Sequence, residues 1–473
     1  MKVKWREIGM KKKLVSIILT TALLATMLTG CGGKNTTASK ESADTAATTE
    51  ATQEPASTES AQEGKVVNIY CWNDEFQSRY EAYAKDLAEQ HGVTVNFVIV
   101  ANENNAYQNN LDAALQAQES AAADDKVDIF LAEADYASKY TKSDYTLDVV
   151  GDVGLTQEDL AGQYQYTKDI VTVDGIQKAT TWQATPGLFA YRRSIAKDVL
   201  GTDDPAKVQE ALSDWSKFDQ TAAKMNESGY RMLSGYDDSF RTFSNNVSAP
   251  WVDGTKIVID DNIMKWVKQT KDYTDKGYNN KTRLWAPEWQ SDQGPAGKVF
   301  GFFYSTWGIN FTLLGNSLAD AEGEKAVGNG IYGDYAVCEG PQPYYWGGTW
   351  ICAAKGTDNI PFIKDLMYRL TCDPATMKQI TVDTQDYTNN EAAMNELANS
   401  DYKSDFLGGQ NHIALFAEAA KKIDMSNISD YDQGLNESMQ QAMSDYFEGN
   451  VDEKTALDNF YTSAIEKYPE LTR

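Results

Sequence analysis

The alternation of strand and helix patterns between residues 66 and 131 limits the folds open to this chain. Three apolar runs, at residues 66–72, 93–100 and 127–131, each predict a buried strand. A helical pattern follows each of the first two, and the second of these covers residues 107–117. Parallel strands need a crossover between them, usually a helix, so this order predicts a parallel sheet. The sequence therefore predicts an α/β fold.

Polar and aromatic side chains follow two of these predicted strands. Trp72, Asn73 and Asp74 come directly after the first strand, and Glu133 and Asp135 come after the third. In open α/β sheets, ligands bind outside the carboxyl ends of the strands. Asn and Asp also cap helix N-termini well. For Asn73 and Asp74, ligand contact and helix capping therefore both stay open.

Further strand and helix patterns continue to the end of the chain. Residues 177–191 predict an extended segment that is interrupted at Pro186-Gly187 and leads into a helix from Ser194. Two more strands are predicted at residues 299–310 and 344–354. The predicted helices cover residues 203–230, 263–276, 362–371, 436–447 and 454–465, of which the last two form a pair. Hydrophobic cores stop growing beyond roughly 250–300 residues, so residues 65–473 fit two lobes.

The N-terminus carries the pattern of a secreted and lipid-anchored protein. A basic head precedes an apolar run at residues 14–28, which is shorter than the roughly 20 residues of a membrane span. This order is typical of a secretory signal, and Leu28-Thr29-Gly30-Cys31 resembles the bacterial lipobox. We expect residues 1–30 to be a signal peptide and Cys31 to carry a lipid at the outer face of the cytoplasmic membrane. The alternative is an ordinary signal peptide that ends near a cysteine.

A tether is expected between this anchor and the folded part. Residues 32–64 contain no Leu, Ile, Val, Phe, Tyr or Trp. Such a segment cannot bury enough apolar surface to offset the entropy lost on ordering, so a flexible linker is predicted.

Composition excludes several classes of function. The net charge of −26 disfavours nucleic acid as a partner, because nucleic-acid affinity depends on Lys and Arg that neutralise phosphates. The chain has two histidines, which weakens any mechanism that needs a His base or a His metal cluster. No metal site and no cofactor is expected. The cysteines after Cys31 match no zinc pattern, and both buried thiols and disulfides stay open for Cys71, Cys338, Cys352 and Cys372.

The aromatic residues are the feature of the composition that points to a class of ligand. The chain has 26 Tyr, 16 Phe and 11 Trp, many of them beside Asn, Asp, Gln or Gly. An aromatic face can pack on the C–H face of a sugar ring while neighbouring polar groups bind its hydroxyls. Core packing is the alternative for each of them.

In their order, these features resemble the family 1 extracellular solute-binding proteins of bacterial ABC importers, carbohydrate binders related to maltose-binding protein. The resemblance covers nearly all of the chain that follows the signal. Its marks are the lipobox and tether, Tyr70-Cys71-Trp72-Asn73, the segment FAYRRS at 189–194, Ser305-Thr306-Trp307, WGGTW at 346–350 and the paired C-terminal helices.

The resemblance implies a two-lobed, type II periplasmic-binding-protein-like fold with the ligand in a cleft between the lobes. Three chain crossings are expected, near residues 185–188, 339–344 and 383–390. The implied boundaries are residues 65–188 plus 342–385 for the first lobe, and 189–341 plus 386–473 for the second. Family members close on the ligand by hinge bending, so we expect a monomer that binds a neutral oligosaccharide and docks on an ABC importer permease.

The candidate ligand contacts combine the strand-end residues with positions implied by the resemblance. Trp307 resembles the family's sugar-stacking aromatic, whereas Trp285 and Trp289 could instead cap the second lobe. The full set is Trp72, Asn73, Asp74, Glu133, Asp135, Trp182, Gln183, Asp237, Asp238, Trp285, Trp289, Trp307, Trp346 and Trp350.

Two other functions remain open from the sequence. An extracellular glycosidase needs two carboxylates that flank the scissile bond, and Asp74, Glu133 and Asp135 are candidates. A binding protein for a peptide, a polyamine or a metal chelate would use the same two-lobed scaffold. The acidic balance suits a polyamine, but the Trp residues fit sugars better.

Overall fold

The structure of the protein, a computed structural model, describes residues 64–473. The predicted signal peptide, the lipidation site at Cys31 and the tether up to residue 63 lie outside these residues. Within residues 64–473, no helix combines the length and the apolar character needed to cross a membrane.

Helices make up most of the regular structure. The α-helices are α1 Glu75–Tyr83, α2 Asp86–His91, α3 Ala106–Ala117, α4 Ala137–Thr141, α5 Gln165–Asp169, α6 Arg193–Leu200, α7 Pro205–Leu212, α8 Trp215–Glu227, α9 Phe240–Ser244, α10 Asp261–Lys276, α11 Pro287–Asp292, α12 Leu314–Ser317, α13 Ile360–Thr371, α14 Pro374–Thr384, α15 Glu391–Ala398, α16 His412–Ala420, α17 Asp432–Glu448 and α18 Glu453–Lys467. Short 3₁₀ helices cover Glu103–Asn105, Gln118–Ser120, Ala123–Asp125, Ala134–Tyr136 and Asp159–Gly162, and a π-helix covers Ile309–Leu313.

The strands are shorter and lie between the helices. They are β1 Val66–Cys71, β2 Thr94–Ile99, β3 Ile129–Glu133, β4 Thr172–Val173, β5 Ile176–Gln177, β6 Thr180–Thr181, β7 Gly187–Arg192, β8 Leu233–Gly235, β9 Val252–Asp253, β10 Lys256–Ile257, β11 Asn279–Thr282, β12 Gly301–Ser305, β13 Tyr335–Cys338 and β14 Thr349–Ala353.

The first lobe is built on a five-stranded sheet with the order β2-β1-β3-β14-β6. β1 pairs in parallel with both β2 and β3, which confirms the parallel α/β arrangement predicted from the alternation of patterns. Helices α1 and α2 connect β1 to β2, and α3 lies between β2 and β3, as parallel connections require. β14 enters from the far end of the chain and runs antiparallel to β3. The carboxyl ends of β1 and β3 therefore lie at the same edge of the sheet.

The second lobe contains a three-stranded antiparallel sheet with the order β12-β7-β13. Every residue of β7 is buried, as expected for a central strand covered on both faces. A separate parallel pair, β8 with β11, belongs to the same half of the molecule. The resulting two-lobed α/β architecture agrees with the fold that the resemblance implied.

The chain crosses between the two sheets three times, and the crossings are hydrogen-bonded to one another. Residues 182–186 lead from β6 to β7, residues 339–348 lead from β13 to β14, and residues 385–390 link α14 to α15. The backbone N–H of residue 187 donates to the carbonyl of residue 344 at 2.7 Å, and that of residue 389 donates to the carbonyl of residue 182 at 2.8 Å. These segments overlap the predicted crossings. The three crossing segments are thus joined by backbone hydrogen bonds, and together they connect the two lobes.

Two predicted strands are shorter in the structure than in the sequence pattern. The strand predicted at 299–310 ends at Ser305, and a π-helix begins at Ile309. Gly308 lies between them. The Tyr304 ring comes within 2.1 Å of the point where a Cβ atom of residue 308 would lie, so only glycine leaves room for the ring. The strand predicted at 344–354 begins only at Thr349, because Gly347 and Gly348 have φ angles of 75° and 114° that interrupt an extended backbone.

The four cysteines of the described residues are free thiols. Cys71, Cys338, Cys352 and Cys372 are all buried and unpaired with one another. Burial raises the pKa of the Cys71 thiol to about 12. These cysteines serve as small core residues.

A buried polar cluster contacts two of the crossings. The Gln183 amide nitrogen lies 3.2 Å from Glu75 Oε1 and 3.2 Å from Asp386 Oδ2. Burial raises the pKa of Glu75 to about 7, and the nearby Arg79 opposes this shift. Burial also raises the pKa of Asp386. One amide thus bridges two carboxyl groups whose ionised forms are disfavoured.

Glu75→Gln is expected to stabilise the protein at pH 8 more than at pH 5. A carboxyl group with a raised pKa in the folded state contributes stability that is present below its unfolded pKa and is lost as the pH rises through about 7. The advantage of the variant should therefore grow by roughly 2 kcal/mol over this range. Urea unfolding of both proteins at pH 5 and pH 8 measures it, and a constant difference would contradict the assignment of Glu75.

Candidate functional site

A cavity of about 710 Å³ is built from the carboxyl ends of two sets of parallel strands. On the first-lobe side, Trp72 follows β1 directly, and Glu133 and Asp135 lie at the end of β3. On the second-lobe side, Asp237 follows β8 and Trp285 follows β11. Helices α17 and α18 complete the wall. This placement matches the general position of ligand sites in α/β proteins.

The structure brings six of the predicted contact residues to this one cavity. They come from five separate segments of the chain. They are Trp72, Glu133, Asp135, Asp237, Trp285 and Trp346.

Three tryptophans form an aromatic cluster, and two of them line the cavity. The Trp285 ring is stacked on Trp307, with centroids 6.0 Å apart and an angle of 20° between the planes. Trp346 meets Trp307 edge to face at 5.2 Å, and Trp307 Nε1 donates to the Trp346 carbonyl at 3.0 Å. Trp307 thus supports the two tryptophans that line the cavity, although it is not itself among the lining residues.

Trp285 has two properties that are unusual for a tryptophan. Its side chain is 47% exposed, and its backbone has a φ angle of 69°. A bulky residue in the left-handed region costs of order 1–3 kcal/mol, and such strain clusters at functional sites. The chain therefore tolerates strain in order to hold a large apolar ring at the cavity surface.

The basic side chains that line the cavity are each paired with an acidic one. The ion pairs are Arg241–Asp135 at 2.7 Å, Arg283–Asp237 at 3.1 Å and Lys467–Glu437 at 2.9 Å. The first pair joins the two lobes, because Asp135 follows β3 and Arg241 lies in α9. The other two pairs each lie within the second-lobe wall. The charges of these six groups cancel.

Glu133 is the remaining acidic group of the lining. Its Oε2 accepts a hydrogen bond from the Asp135 backbone N–H at 2.8 Å. Burial and the neighbouring Asp135 charge raise its pKa, and Arg241 opposes the shift. The protonated form of Glu133 is therefore favoured compared with a carboxyl group in water. The cavity as a whole is close to electrically neutral.

Several buried polar atoms that line the cavity have no hydrogen-bond partner among residues 64–473. They are Asn102 Oδ1, the Tyr136 hydroxyl and Asp237 Oδ1. Buried polar groups in proteins are nearly always hydrogen-bonded. The residues that carry these atoms line the cavity, so its wall contains polar groups that the protein itself does not satisfy.

Three of the predicted tryptophan contacts lie in the protein core instead. Trp182, Trp289 and Trp350 are each 1% exposed. Trp289 Nε1 donates to Asp238 Oδ1 at 2.9 Å, and Trp350 Nε1 donates to the Thr167 carbonyl at 2.9 Å. Their rings fill space between secondary-structure elements, so the structure does not bring them to the cavity.

The predicted polar contacts Asn73, Asp74, Gln183 and Asp238 also lie outside the lining. Asn73 Oδ1 accepts from the Glu75 backbone N–H at 3.1 Å, which is a local capping interaction. Asp74 occupies the N-cap position of α1 without a side-chain capping bond. Asp238 Oδ2 accepts from two backbone N–H groups of the β8 segment, at 2.7 and 2.9 Å. Gln183 belongs to the crossing cluster described above.

The prediction from sequence missed the wall formed by α17. The lining residues of this helix are Gln433, Asn436, Glu437, Ser438, Gln440 and Gln441. Most of them recur at intervals of three or four, so they share one helix face. A polar stripe rich in amides, on the face opposite the apolar one, is the signal that would have found them. Arg241 and Arg283 carry no comparable signal.

No group of three or more His, Cys, Asp or Glu in the described part of the chain is arranged to hold a metal ion.

Comparisons with known proteins agree with this architecture. The model of the family described as bacterial extracellular solute-binding protein matches residues 82–407. No curated protein sequence matches the chain significantly.

Solved structures share the fold at low sequence identity. A family 1 extracellular solute-binding protein superposes with a TM-score of 0.69 at 15% identity, covering 85% of this chain and 99% of that chain. The ABC transporter associated binding protein from B. animalis subsp. lactis Bl-04, in complex with beta-1,6-galactobiose, gives 0.65 at 17%, covering 87% and 99%. The galacto-N-biose-/lacto-N-biose I-binding protein from Bifidobacterium longum, in complex with lacto-N-biose, gives 0.64 at 13%, covering 87% and 100%.

Proposed function

The chain belongs to the bacterial extracellular solute-binding proteins, and on this basis we propose that it binds a neutral oligosaccharide and delivers it to the permease of an ABC importer. The ligand occupies the cavity between the lobes, and closure of the lobes around it creates the form that docks on the permease. The sugar complexes among the structural neighbours, including the two described above, support a carbohydrate as the cargo.

The observation that carries the proposal is a cavity whose basic groups are all paired and whose lining includes three indole rings. Trp285, Trp346 and Trp72 offer apolar faces, which pack on the C–H faces of sugar rings. Asn102, Tyr136 and the α17 amides offer polar atoms for the hydroxyls. The basic groups of the lining are all paired and Glu133 favours its protonated form, so a neutral ligand suits the cavity.

A polyamine or a charged peptide fits this cavity less well. Such a ligand needs free acidic or basic groups, whereas Asp135, Asp237 and Glu437 are already paired with Arg241, Arg283 and Lys467. Breaking the Arg241–Asp135 or the Arg283–Asp237 pair would leave a largely buried aspartate without its partner, which is costly.

The geometry also disfavours glycoside hydrolysis. A glycosidase needs two free carboxyl groups on either side of the scissile bond. Asp135 is held by both Nη atoms of Arg241, and Asp74 does not line the cavity. We propose that the protein has no enzymatic activity.

The N-terminal pattern extends the proposal to the location of the protein. A signal peptide at residues 1–30 and a lipid on Cys31 would anchor a monomer to the outer face of the cytoplasmic membrane, and two acyl chains suffice for stable anchoring. Residues 65–188 plus 342–385 would move as the first lobe, and residues 189–341 plus 386–473 would move as the second.

Calorimetric titration of residues 65–473 with a panel of neutral oligosaccharides tests the proposal. The panel contains alpha-glucans, beta-mannans, xylans, galactans and fructans, at 0.05 and 0.5 M salt. We expect saturable one-to-one binding to one class, with an affinity that salt hardly changes. Affinity for spermidine that falls steeply with salt, or steady release of reducing ends from the bound sugar, would overturn it.

A further inference from the structure

We propose that the ligand is longer than a disaccharide and that its outer sugar units occupy a second cavity next to the first. This inference rests on the proposed function, because it concerns the length of the same oligosaccharide. The second cavity has a volume of about 460 Å³. It lies between α3 and α4 of the first lobe and the ends of α17 and α18.

The two cavities adjoin each other. Tyr136, Gln433 and Lys467 line both of them. The first cavity, at about 710 Å³, already lies within the roughly 300–1,000 Å³ that a small ligand needs. A compact ligand would therefore leave the second cavity empty. An elongated ligand would use both.

A chain of hydrogen-bonded side chains that can exchange partners links the two walls at this boundary. Gln108 of α3 donates to Gln433 Oε1 at 2.7 Å, and Gln433 Nε2 donates to Glu437 Oε1 at 3.2 Å. Glu437 in turn accepts from Lys467 at 2.9 Å. Sugar hydroxyls both donate and accept, so they can replace each of these contacts. The buried Tyr136 hydroxyl, which has no partner among the described residues, faces the same boundary.

The lining of the second cavity has the same chemistry as the first. Asn105, Gln108 and Asn109 supply amides from α3 and the residue before it. Tyr431 and Tyr468 form an edge-to-face pair with centroids 5.0 Å apart. The amide and aromatic groups match the polar and apolar faces of a sugar ring.

Most of the charges at this second cavity are also paired. Lys139 binds Asp112 at 2.7 Å, and Lys142 binds Asp430 at 2.9 Å. The Tyr431 hydroxyl donates to Glu470 at 3.3 Å. A neutral continuation of the same sugar chain therefore fits better than a charged group.

Two neighbouring asparagines of α3 provide a matched test. Asn109 and Asn110 are both exposed residues of the same helix, but only Asn109 lines the second cavity. Asn109→Trp would place a large ring in that cavity. Asn110→Trp introduces the same ring outside it, and thermal unfolding of both variants checks that each is folded.

The experiment compares disaccharide and tetrasaccharide pairs of one linkage by calorimetry: maltose with maltotetraose, and the corresponding cello-, xylo-, manno- and β-1,6-galacto-oligosaccharides. For the linkage that binds, we expect the tetrasaccharide to bind at least 10-fold more tightly than the disaccharide. Asn109→Trp should remove this advantage and leave the disaccharide affinity unchanged, while Asn110→Trp should preserve both.

Each other outcome overturns the inference. A tetrasaccharide that binds no more tightly than its disaccharide, or an advantage that survives in Asn109→Trp, shows that the second cavity holds no sugar. Equal loss of affinity for the disaccharide and the tetrasaccharide in Asn109→Trp shows that the substitution disturbs the whole binding site. If no sugar of either length binds, the proposed function itself fails, and this inference fails with it.

Discussion

Replacing Trp285 with alanine is expected to weaken oligosaccharide binding about 30-fold, while the free energy of unfolding changes little. Truncation of an aromatic residue at the centre of a binding site costs about 2 kcal/mol or more, which corresponds to this factor. Trp285 is 47% exposed, so it contributes little to the core. Its strained backbone indicates that its position serves the site rather than the fold. Calorimetric titration and urea unfolding of the variant measure the two effects.

Trp289 supplies the matched control for this experiment. It lies four residues further along the chain but is 1% exposed and hydrogen-bonded to Asp238. Trp289→Ala is expected to lower the free energy of unfolding by roughly 3–5 kcal/mol, as other large-to-small core substitutions do. The two variants should therefore differ in the property that is lost. Trp285→Ala should lose binding, and Trp289→Ala should lose stability. Equal affinities of Trp285→Ala and the natural protein would remove Trp285 from the site.

Arg241→Met is expected to weaken binding by up to about 100-fold and to shift the protein toward an open arrangement of the lobes. Arg241 and Asp135 belong to opposite lobes and are 18% and 10% exposed in their side chains. Removing one partner of a buried ion pair leaves a desolvated charge, which can cost about 3 kcal/mol. Separation of the lobes would let water solvate Asp135, so we expect Arg241→Met to favour the open arrangement. Titration gives the affinity, and small-angle X-ray scattering gives the radius of gyration.

Two further variants separate closure from local effects in this experiment. Arg283→Met breaks an ion pair with Asp237 that lies within one lobe, so the radius of gyration should stay that of the natural protein. Asp135→Asn combined with Arg241→Met removes both charges of this pair, so it should recover part of the affinity lost in the single variant. An unchanged radius and affinity in Arg241→Met would show that this pair does not hold the lobes together.

The sequence predicts the fold well where local patterns determine it. Apolar runs that alternate with helical patterns predict β1, β2 and β3, and their parallel pairing follows from the connections. The residues at their ends, Trp72, Glu133 and Asp135, reach the cavity because strand ends of one parallel sheet lie at one edge. For these three residues, the local sequence pattern is enough to predict their position in the fold.

The sequence fails where distant segments decide the environment of a side chain. Trp285 and Trp289 look alike in sequence, but α11 begins at Pro287, so only Trp289 faces inward from the helix. Arg241 meets Asp135 across 106 positions of the chain, and no local pattern encodes such a pair. The Tyr304 ring packs against Gly308 directly before the π-helix at Ile309–Leu313, and no local pattern predicts that helix.

The buried thiols make residues 65–473 suitable for conversion into an optical sensor. Maleimide dyes react with exposed thiolates, and burial keeps the thiols of Cys71, Cys338, Cys352 and Cys372 both shielded and protonated. A single cysteine introduced at the rim of the cavity would then be the one position to take up a fluorophore. Opening and closing of the lobes could be followed by emission in real time, without first removing any native cysteine.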